Sequence, residues 1–274
     1  MAAAPRDVLR AVWAEMLRDA SPAERVRDWL AEHPDLVTDG LAVLAVGKSA
    51  VVAAQPLAER FAHLRVPLLV IAPGPAIDSP RGQALAAYPS AALIASSHPR
   101  IDERSVAAAQ RARAFVGAVP AHGRLLALVS GGASALCALP APGVTLSEKR
   151  QRVEAVVATG AGIAEINRVR ASLSAIKAGR LVEACAAPVT TLVFSDVPGD
   201  DPAVVGSGPT VRAPRPGDRV QVLAPRRVAL DAVVRGLNAR GVATTEAAAL
   251  AGDPEAAARR LAADLAALPR GHAL

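Results

Sequence analysis

The chain has 274 residues, of which 52% are hydrophobic and 20% are charged, and its formal net charge is +6. This length suits one large α/β domain or two smaller ones, and the apolar content excludes a disordered protein. Six aromatic residues and dispersed arginines exclude a nucleic-acid partner that is bound by base stacking or by a basic tail.

The sequence gives no sign of a membrane or secretory segment. Residues 1–17 contain no apolar signal region, and no apolar stretch approaches the roughly 18 residues that a membrane span needs. We therefore predict a cytoplasmic protein without a membrane partner. Cys137 and Cys185 stand singly among small apolar residues, which favours buried free thiols over a metal site or a disulfide framework.

The N-terminal region is predicted to be helical. One amphipathic helix is expected over residues 6–19. A second begins at Ser21-Pro22-Ala23-Glu24, which combines an N-cap, a proline at the first helical position and a capping-box acid. We interpret residues 1–40 as a helical lead-in that packs on a main domain formed by residues 41–274.

From residue 41 onward, short apolar runs alternate with predicted amphipathic helices. Continuous apolar runs separated by helices are typical of a mainly parallel sheet that is covered on both faces. We therefore predict a doubly wound, Rossmann-like α/β fold. The predicted strands are 41–46, 67–72, 92–95, 125–129, 189–194, 220–223 and 242–245. The predicted helices are 49–62, 103–117, 147–159, 162–178, 226–239 and 254–267.

Small, hydroxylated and charged residues follow four of the predicted strands. In open parallel sheets, ligands bind beyond the carboxyl ends of the strands. Four strand ends that carry such residues therefore predict an active site along one rim of the sheet. The four segments are Gly47–Ser49, Ser96–Pro99, Ser130–Ser134 and Ser195–Asp201.

Gly47-Lys48-Ser49 resembles the end of a P-loop, but position 42 is Ala where that motif requires its first glycine. The segment reads as a strand-to-helix turn with a lysine at the start of the helix. A cation there is unfavourable unless an anion balances it. Lys48 is therefore either a ligand for an anion or a solvated first-turn lysine.

Three further segments are candidate sites. The glycine-rich turn Ser130–Ser134 and the segment Ser207-Gly208-Pro209-Thr210 could each hold a phosphate or carboxylate on backbone amides, or could be plain turns. The segment Ser195–Asp201 contains three carboxylates that could bind Mg²⁺ or act as a base, or could be turn and N-cap residues. These carboxylates are Asp196, Asp200 and Asp201.

The predicted helix over 162–178 has polar residues directly beside its buried stripe. At 100° per residue, these side chains flank the apolar stripe instead of lying opposite to it. That position suits the edge of a cleft, although ordinary boundary residues are the alternative. The four residues are Asn167, Arg170, Ser174 and Lys177.

Other catalytic patterns are missing from the sequence. His98 is too far from other ligand types to suggest a metal site. The segment 132–136 lacks the second glycine of a hydrolase nucleophile elbow. No GxGxxG pattern follows the first strand, which argues against a nicotinamide-dependent dehydrogenase.

Taken together, these segments resemble the glycerate 2-kinases of the kind whose C-terminal domain is called MOFRL. The resemblance runs in order over residues 40–212. Ser172 departs from the usual histidine, and Ala178 departs from the first of two usual glycines. The matching motifs are Val46–Lys48, His98-Pro99, Asp102-Glu103, Ser130–Leu136, Glu165–Arg170, Leu173–Lys177, Gly179–Leu181, Ser195–Asp201 and Ser207–Thr210.

The resemblance implies ATP-dependent phosphorylation of D-glycerate at its 2-hydroxyl, with Mg²⁺. It implies that Lys48 and Asp196 are catalytic and that Asp196 and Asp200 bind the metal. The residues then expected to bind substrate or phosphate are His98, Ser130, Gly131, Gly132, Ser134, Asn167, Arg170, Ser174, Lys177, Ser207, Gly208 and Thr210.

In that family the active site lies between two domains, and this chain ends at residues 271–274, about where the second should begin. We expect the chain alone to be a poor or inactive kinase until that domain is supplied in cis, by a partner chain or within a homodimer. Two alternatives are a non-catalytic or split-site homologue and a hydroxypyruvate reductase.

Overall fold

The computed structural model describes residues 4–36, 39–247, 250, 252–269 and 271–273. Contacts divide these residues into two compact units. The first is Pro22–Arg226, and the second is drawn from Met1–Ser21 and Arg227–Leu274. The boundary at residue 40 stays a prediction. None of the described helices is long and apolar enough to cross a membrane.

Six strands of the first unit form one sheet in which all neighbouring strands are parallel. Their order is β3-β2-β1-β4-β5-β6, the order of a doubly wound fold. The predicted fold class is therefore confirmed. The strands are β1 (Leu41–Val46), β2 (Leu68–Pro73), β3 (Ala91–Ser96), β4 (Arg124–Ser130), β5 (Val189–Phe194) and β6 (Arg219–Ala224). Two short strands, β7 (Ala243–Thr244) and β8 (His272–Ala273), pair with each other in the second unit.

Helices connect most of the strands. The helices are α1 (Pro5–Asp19), α2 (Pro22–Glu32), α3 (Ala50–Phe61), α4 (Gly74–Ile77), α5 (Pro80–Ala86), α6 (Glu103–Gly117), α7 (Ala133–Leu136), α8 (Leu146–Ala158), α9 (Ile163–Ser172), α10 (Arg226–Asn238) and α11 (Pro254–Ala267). Helix α2 lies in the first unit and α1 in the second.

The core of the first unit lies on both faces of the sheet. Every residue of β1 and β5 is buried, which is why these strands read as continuous apolar runs. One hydrophobic cluster contains the buried alanines of α6, and the other contains α2 and α3. On the second face, the Trp29 indole also donates to Gln221 Oε1 at 3.0 Å. Cys137 and Cys185 are buried free thiols, as predicted.

Two predicted elements are wrong in extent. The helix expected over 162–178 ends at Ser172, because the following backbone pairs with another segment: Ala175 N–H donates to Leu139 at 3.0 Å. Ser174 and Lys177 therefore do not lie on a helix. The strand expected at 242–245 shortens to β7 and pairs with β8 instead of joining the main sheet.

The strand order places a crevice at the middle of the sheet. Strands β2 and β3 follow β1 on one side of it, whereas β4 pairs with β1 on its other side. At such a topological switch point the connections leave in opposite directions, so a space opens at the carboxyl ends of the strands. The candidate site lies at this rim.

Candidate active site

A cleft of about 1290 Å³ opens along the carboxyl ends of β2, β3, β4 and β5. Helices α8 and α9 contribute residues to its far wall. Nine residues predicted from the sequence line this cleft. They are His98, Gly131, Gly132, Ser134, Asn167, Arg170, Lys177, Asp196 and Ser207.

Lys48 and Asp196 form an ion pair at this rim. The Lys48 ammonium lies 3.2 Å from Asp196 Oδ2, and both side chains are about half exposed. The backbone N–H of Lys48 also donates to the Gly131 carbonyl at 2.8 Å, and this bond joins the turn after β1 to the turn after β4. Residues from three different strand ends therefore meet, as the sequence predicts for an active-site rim.

The two glycines after β4 allow three side chains to converge. A Cβ on Gly131 would lie 1.8 Å from Asp196 Oδ2, so any larger residue would displace the carboxylate. Gly132 has a φ of +86°, and a Cβ there would lie 2.9 Å from Lys48 Cγ and 3.0 Å from His98 Cδ2. Glycine is needed at both positions because backbone and side chains approach closely here.

Several predicted ligand residues bond within the protein instead. Ser130 Oγ accepts the Ser49 N–H at 3.2 Å, and Thr210 Oγ1 accepts a hydrogen bond from Thr191 Oγ1 at 3.1 Å. Ser174 Oγ donates to the Leu139 carbonyl at 3.2 Å. Gly208 turns the chain with a φ of +53°. The structure does not place these four among the residues that line the cleft, and a ligand role for them stays a prediction.

Three of the cations that line the cleft, Lys149, Arg170 and Lys177, lie close enough for their charges to interact, and we call these three the cationic wall. Lys149 and Lys177 are each 2% exposed. The Lys177 ammonium donates to the Ser134 carbonyl at 3.0 Å and to Ser134 Oγ, while Lys149 donates to the Leu173 carbonyl at 2.7 Å. Within the described parts of the chain, no salt bridge joins any of the three to a carboxylate.

Burial alters the protonation of the cationic wall. Desolvation, with the charges of Lys149 and Arg170 adding to it, holds the pKa of Lys177 well below its usual value. Desolvation, together with Arg180 and Arg170, lowers the pKa of Lys149 to about 8. Cys137 beside them offers no negative charge, since burial raises its pKa to about 12. Each lysine therefore loses its proton more readily than a solvated one.

Sequence reasoning missed Lys149. Helix α8 begins with a capping box between Thr145 and Glu148. The next residue, Lys149, is the one buried residue of that helix. A single lysine within an amphipathic pattern resembles a solvated residue. The signal that could have found it is composition, because the chain has only three lysines beside 28 arginines.

The predicted metal ligands are separated in the structure. Asp196 lines the cleft, whereas Asp200 Oδ1 accepts the Arg226 N–H at 3.2 Å and is not a lining residue. Among the described residues, no group of three or more His, Cys, Asp or Glu side chains is arranged to hold a metal ion. A metal role for Asp200 stays a prediction.

Comparison with known proteins agrees with the motifs. A family model described as a domain of unknown function, DUF4147, matches residues 8–237. A protein of Agrobacterium vitis, provisionally named a hydroxypyruvate reductase, is 34% identical over 251 residues, which cover 90% of this chain and 55% of that protein. A glycerate 2-kinase of Sulfurisphaera tokodaii is 36% identical over 170 residues, or 62% of this chain and 39% of that one.

The fold has a solved counterpart. The crystal structure of a glycerate kinase from Thermotoga maritima superposes with a TM-score of 0.74 at 23% identity, over 87% of this chain and 63% of that chain. The chain spans about half or less of the length of the two curated relatives above. The family match covers most of the chain and confirms the resemblance seen in the motifs: the chain belongs to the DUF4147 family of glycerate kinase-type domains.

Proposed function

We propose that this chain takes part in the phosphorylation of D-glycerate at its 2-hydroxyl, with ATP as phosphate donor and Mg²⁺ as cofactor. The observation that carries the proposal is the half-exposed Lys48–Asp196 pair at the sheet rim, in a chain of the glycerate kinase family. A cytoplasmic location and small-molecule partners belong to the same proposal.

Phosphoryl transfer depends on positioning and on neutralising charge more than on covalent chemistry by the protein. The Lys48 ammonium would neutralise charge on the transferred phosphate or on the substrate carboxylate. The Asp196 carboxylate would orient the substrate hydroxyl and accept its proton. Asn167, Arg170 and Lys177, which also line the cleft, would hold anionic groups of the ligands.

The residues present fit a magnesium ion that is held largely by the nucleotide. Mg²⁺ commonly takes one or two protein carboxylates and fills its other positions with phosphate oxygens and water. The half-exposed Asp196 carboxylate, without a larger acidic cluster in the described residues, suits that arrangement. When bound, the ion would neutralise negative charge on the phosphates.

The proposal is tested by incubating the 274-residue chain with D-glycerate and Mg-ATP. We expect ADP release that depends on glycerate, at a low rate for the chain alone, and a phosphorus NMR spectrum that shows 2-phosphoglycerate instead of the 3-phosphate. Thermal-shift titration provides a second readout, because ligands that bind the folded state raise the melting temperature. If glycerate and Mg-ATP give neither ADP nor a thermal shift, the proposed function is wrong.

A hydroxypyruvate reductase is the second candidate, favoured by the name of the Agrobacterium vitis relative. A reductase would oxidise NADH when hydroxypyruvate is added. The turn after β1 reads Gly47-Lys48-Ser49 and has no dinucleotide-binding pattern, so we expect no NADH oxidation. Hydroxypyruvate-dependent loss of NADH absorbance, without glycerate-dependent ADP release, would favour the reductase.

Gly131→Ala tests the convergence of Lys48 and Asp196. The new Cβ would occupy the place of Asp196 Oδ2, which can swing away because it is the end of a side chain. We expect the fold to survive and the transfer rate to fall by about 10²-fold, as a misplacement of about 1 Å can cause. The measurements are kcat/KM for glycerate and the melting temperature.

Gly117→Ala is the matched control for this substitution. Gly117 ends α6, and a Cβ there would meet no atom within 4 Å. This variant should keep the wild-type rate. An unchanged rate in Gly131→Ala as well would mean that the position of the Asp196 carboxylate does not matter for transfer.

A further inference from the structure

The cationic wall is costly for the folded protein as it stands. Lys149 and Lys177 are buried within one wall of the cleft beside Arg170, and in the described chain none of them has a carboxylate partner. Buried charges are normally paired, because desolvation penalises an isolated ion. An unpaired group of this kind in a cleft points to a ligand of opposite charge.

The hydrogen bonds of the wall leave donors free for such a ligand. Lys177 uses two bonds, both to Ser134, and an ammonium has three N–H groups. Arg170 makes only a long bond, 3.4 Å, to Asn167 Oδ1, so most of its five N–H groups have no partner within the described structure. A planar guanidinium beside an ammonium suits a carboxylate or a phosphate group.

The charge state of the cationic wall follows from its surroundings. Lys177 faces Lys149 on α8, Arg170 on α9 and the neutral thiol of Cys137 after α7, and Lys149 also faces Arg180. Every ionised group among these is a cation. Proton loss from a lysine therefore relieves repulsion among these cations, and a bound anion reverses that preference.

We propose that Arg170, Lys177 and Lys149 form an oxyanion subsite, separate from the Lys48–Asp196 pair, whose occupation is coupled to proton uptake by its lysines. The ligand group is a carboxylate, as on the hydroxy acid, or a phosphate, as on the nucleotide. When it binds, a neutral lysine amine takes a proton from the buffer and becomes an ammonium. The inference rests on the proposed function only for the identity of the natural ligand.

Calorimetry on the 274-residue chain measures this coupling directly. D-glycerate and, separately, ADP without Mg²⁺ are titrated at pH 8 in two buffers of different ionisation enthalpy. For the probe that occupies the subsite, we expect uptake of up to about one proton and an affinity that falls up to about tenfold per pH unit as the pH rises. Uptake with glycerate alone assigns the subsite to the carboxylate, and uptake with ADP alone assigns it to the phosphates.

The variant Lys177→Met separates a binding role from a structural one. If the subsite exists, proton uptake decreases and affinity for the assigned probe falls at least about tenfold, while the melting temperature stays the same or rises because a buried lysine without a carboxylate partner is gone. The matched control is Arg152→Met, which removes an exposed cation from α8. It should change neither proton uptake nor affinity.

The proposal is overturned if neither probe binds with proton uptake in the wild-type chain. It is also overturned if Lys177→Met melts several degrees lower while its affinity for both probes is unchanged. The wild-type measurement does not depend on the variant folding. Turnover is scored separately. Phosphoryl transfer without linked proton uptake rejects only this inference. Linked uptake together with hydroxypyruvate-dependent NADH oxidation, and without phosphoryl transfer, rejects only the proposed function.

Discussion

Lys48→Ala is expected to lower the rate of phosphoryl transfer at least about 10²-fold and to leave the fold intact. The loss of a preorganised charge that faces developing negative charge typically has an effect of this size. Stability should change little, because the Lys48–Asp196 pair is half exposed and exposed ion pairs add little to folding. The measurements are kcat/KM from ADP release, binding of Mg-ATP by thermal shift, and the melting temperature.

Arg60→Ala is the control for Lys48→Ala, because Arg60 is an exposed cation at the far end of the helix that Lys48 precedes. It should behave as the wild type in all three measurements. If Lys48→Ala also keeps wild-type turnover and nucleotide binding, Lys48 does not belong to the site and the proposed mechanism loses its central cation.

Asp196→Asn is expected to abolish Mg²⁺-dependent nucleotide binding and to lower turnover by about 10²-fold or more. Asparagine keeps the size of the side chain and its capacity to hydrogen bond, but it can neither accept a proton at neutral pH nor bind a cation strongly. Titrating Mg²⁺ in the presence of ATP, with the thermal shift as readout, measures the metal-dependent part. The rate of phosphoryl transfer measures the role of Asp196 in accepting the proton of the substrate hydroxyl.

The control for Asp196→Asn comes from the same strand end. Asp201 is exposed, accepts the Ala203 N–H at 2.9 Å and does not line the cleft. Asp201→Asn should leave both readouts unchanged. Equal behaviour of the two variants would identify Asp196 as a turn residue.

Much of the fold can be predicted from the sequence because buried parallel strands leave a simple pattern. The runs at 41–46 and 189–194 match β1 and β5 in full, since both faces of these strands are covered and every residue is apolar or a buried threonine. Helix α11 matches its prediction of 254–267 because Asp253 caps it and proline follows. Local signals suffice where each helix or strand depends on its own residues.

The prediction fails where distant backbone competes with local pattern. Helical spacing continues through Ser174 and Lys177, yet that segment forms an antiparallel bridge between Pro140 and Ser174. The partner lies more than thirty residues earlier in the chain, so no window of local sequence reveals it. Lys177 still lines the cleft, but it does so from a turn, and its side chain is buried. The helical periodicity of the sequence predicts instead that this side chain lies at the edge of the cleft.

The candidate site is harder to predict than the fold, because hydroxyl groups and glycines can either bind a ligand or stabilise a turn. Ser134 lines the cleft and bonds Lys177, whereas Ser130, four residues earlier, closes the turn after β1. Both belong to one motif, and only their orientation in space separates them. Lys149 is not predicted as a site residue, because its burial depends on the end of α9, where it bonds the Leu173 carbonyl, and on nothing in its own helix.

The strand order also constrains how the chain reaches its native state. β1 pairs with β4 across a separation of roughly eighty residues, so the central ladder of the sheet closes only after more than a hundred residues have left the ribosome. Until then, β1 and β2 expose one strand edge and apolar faces to solvent. Non-local pairing of this kind slows folding, and truncation before Ser130 leaves a sheet edge that is prone to aggregate.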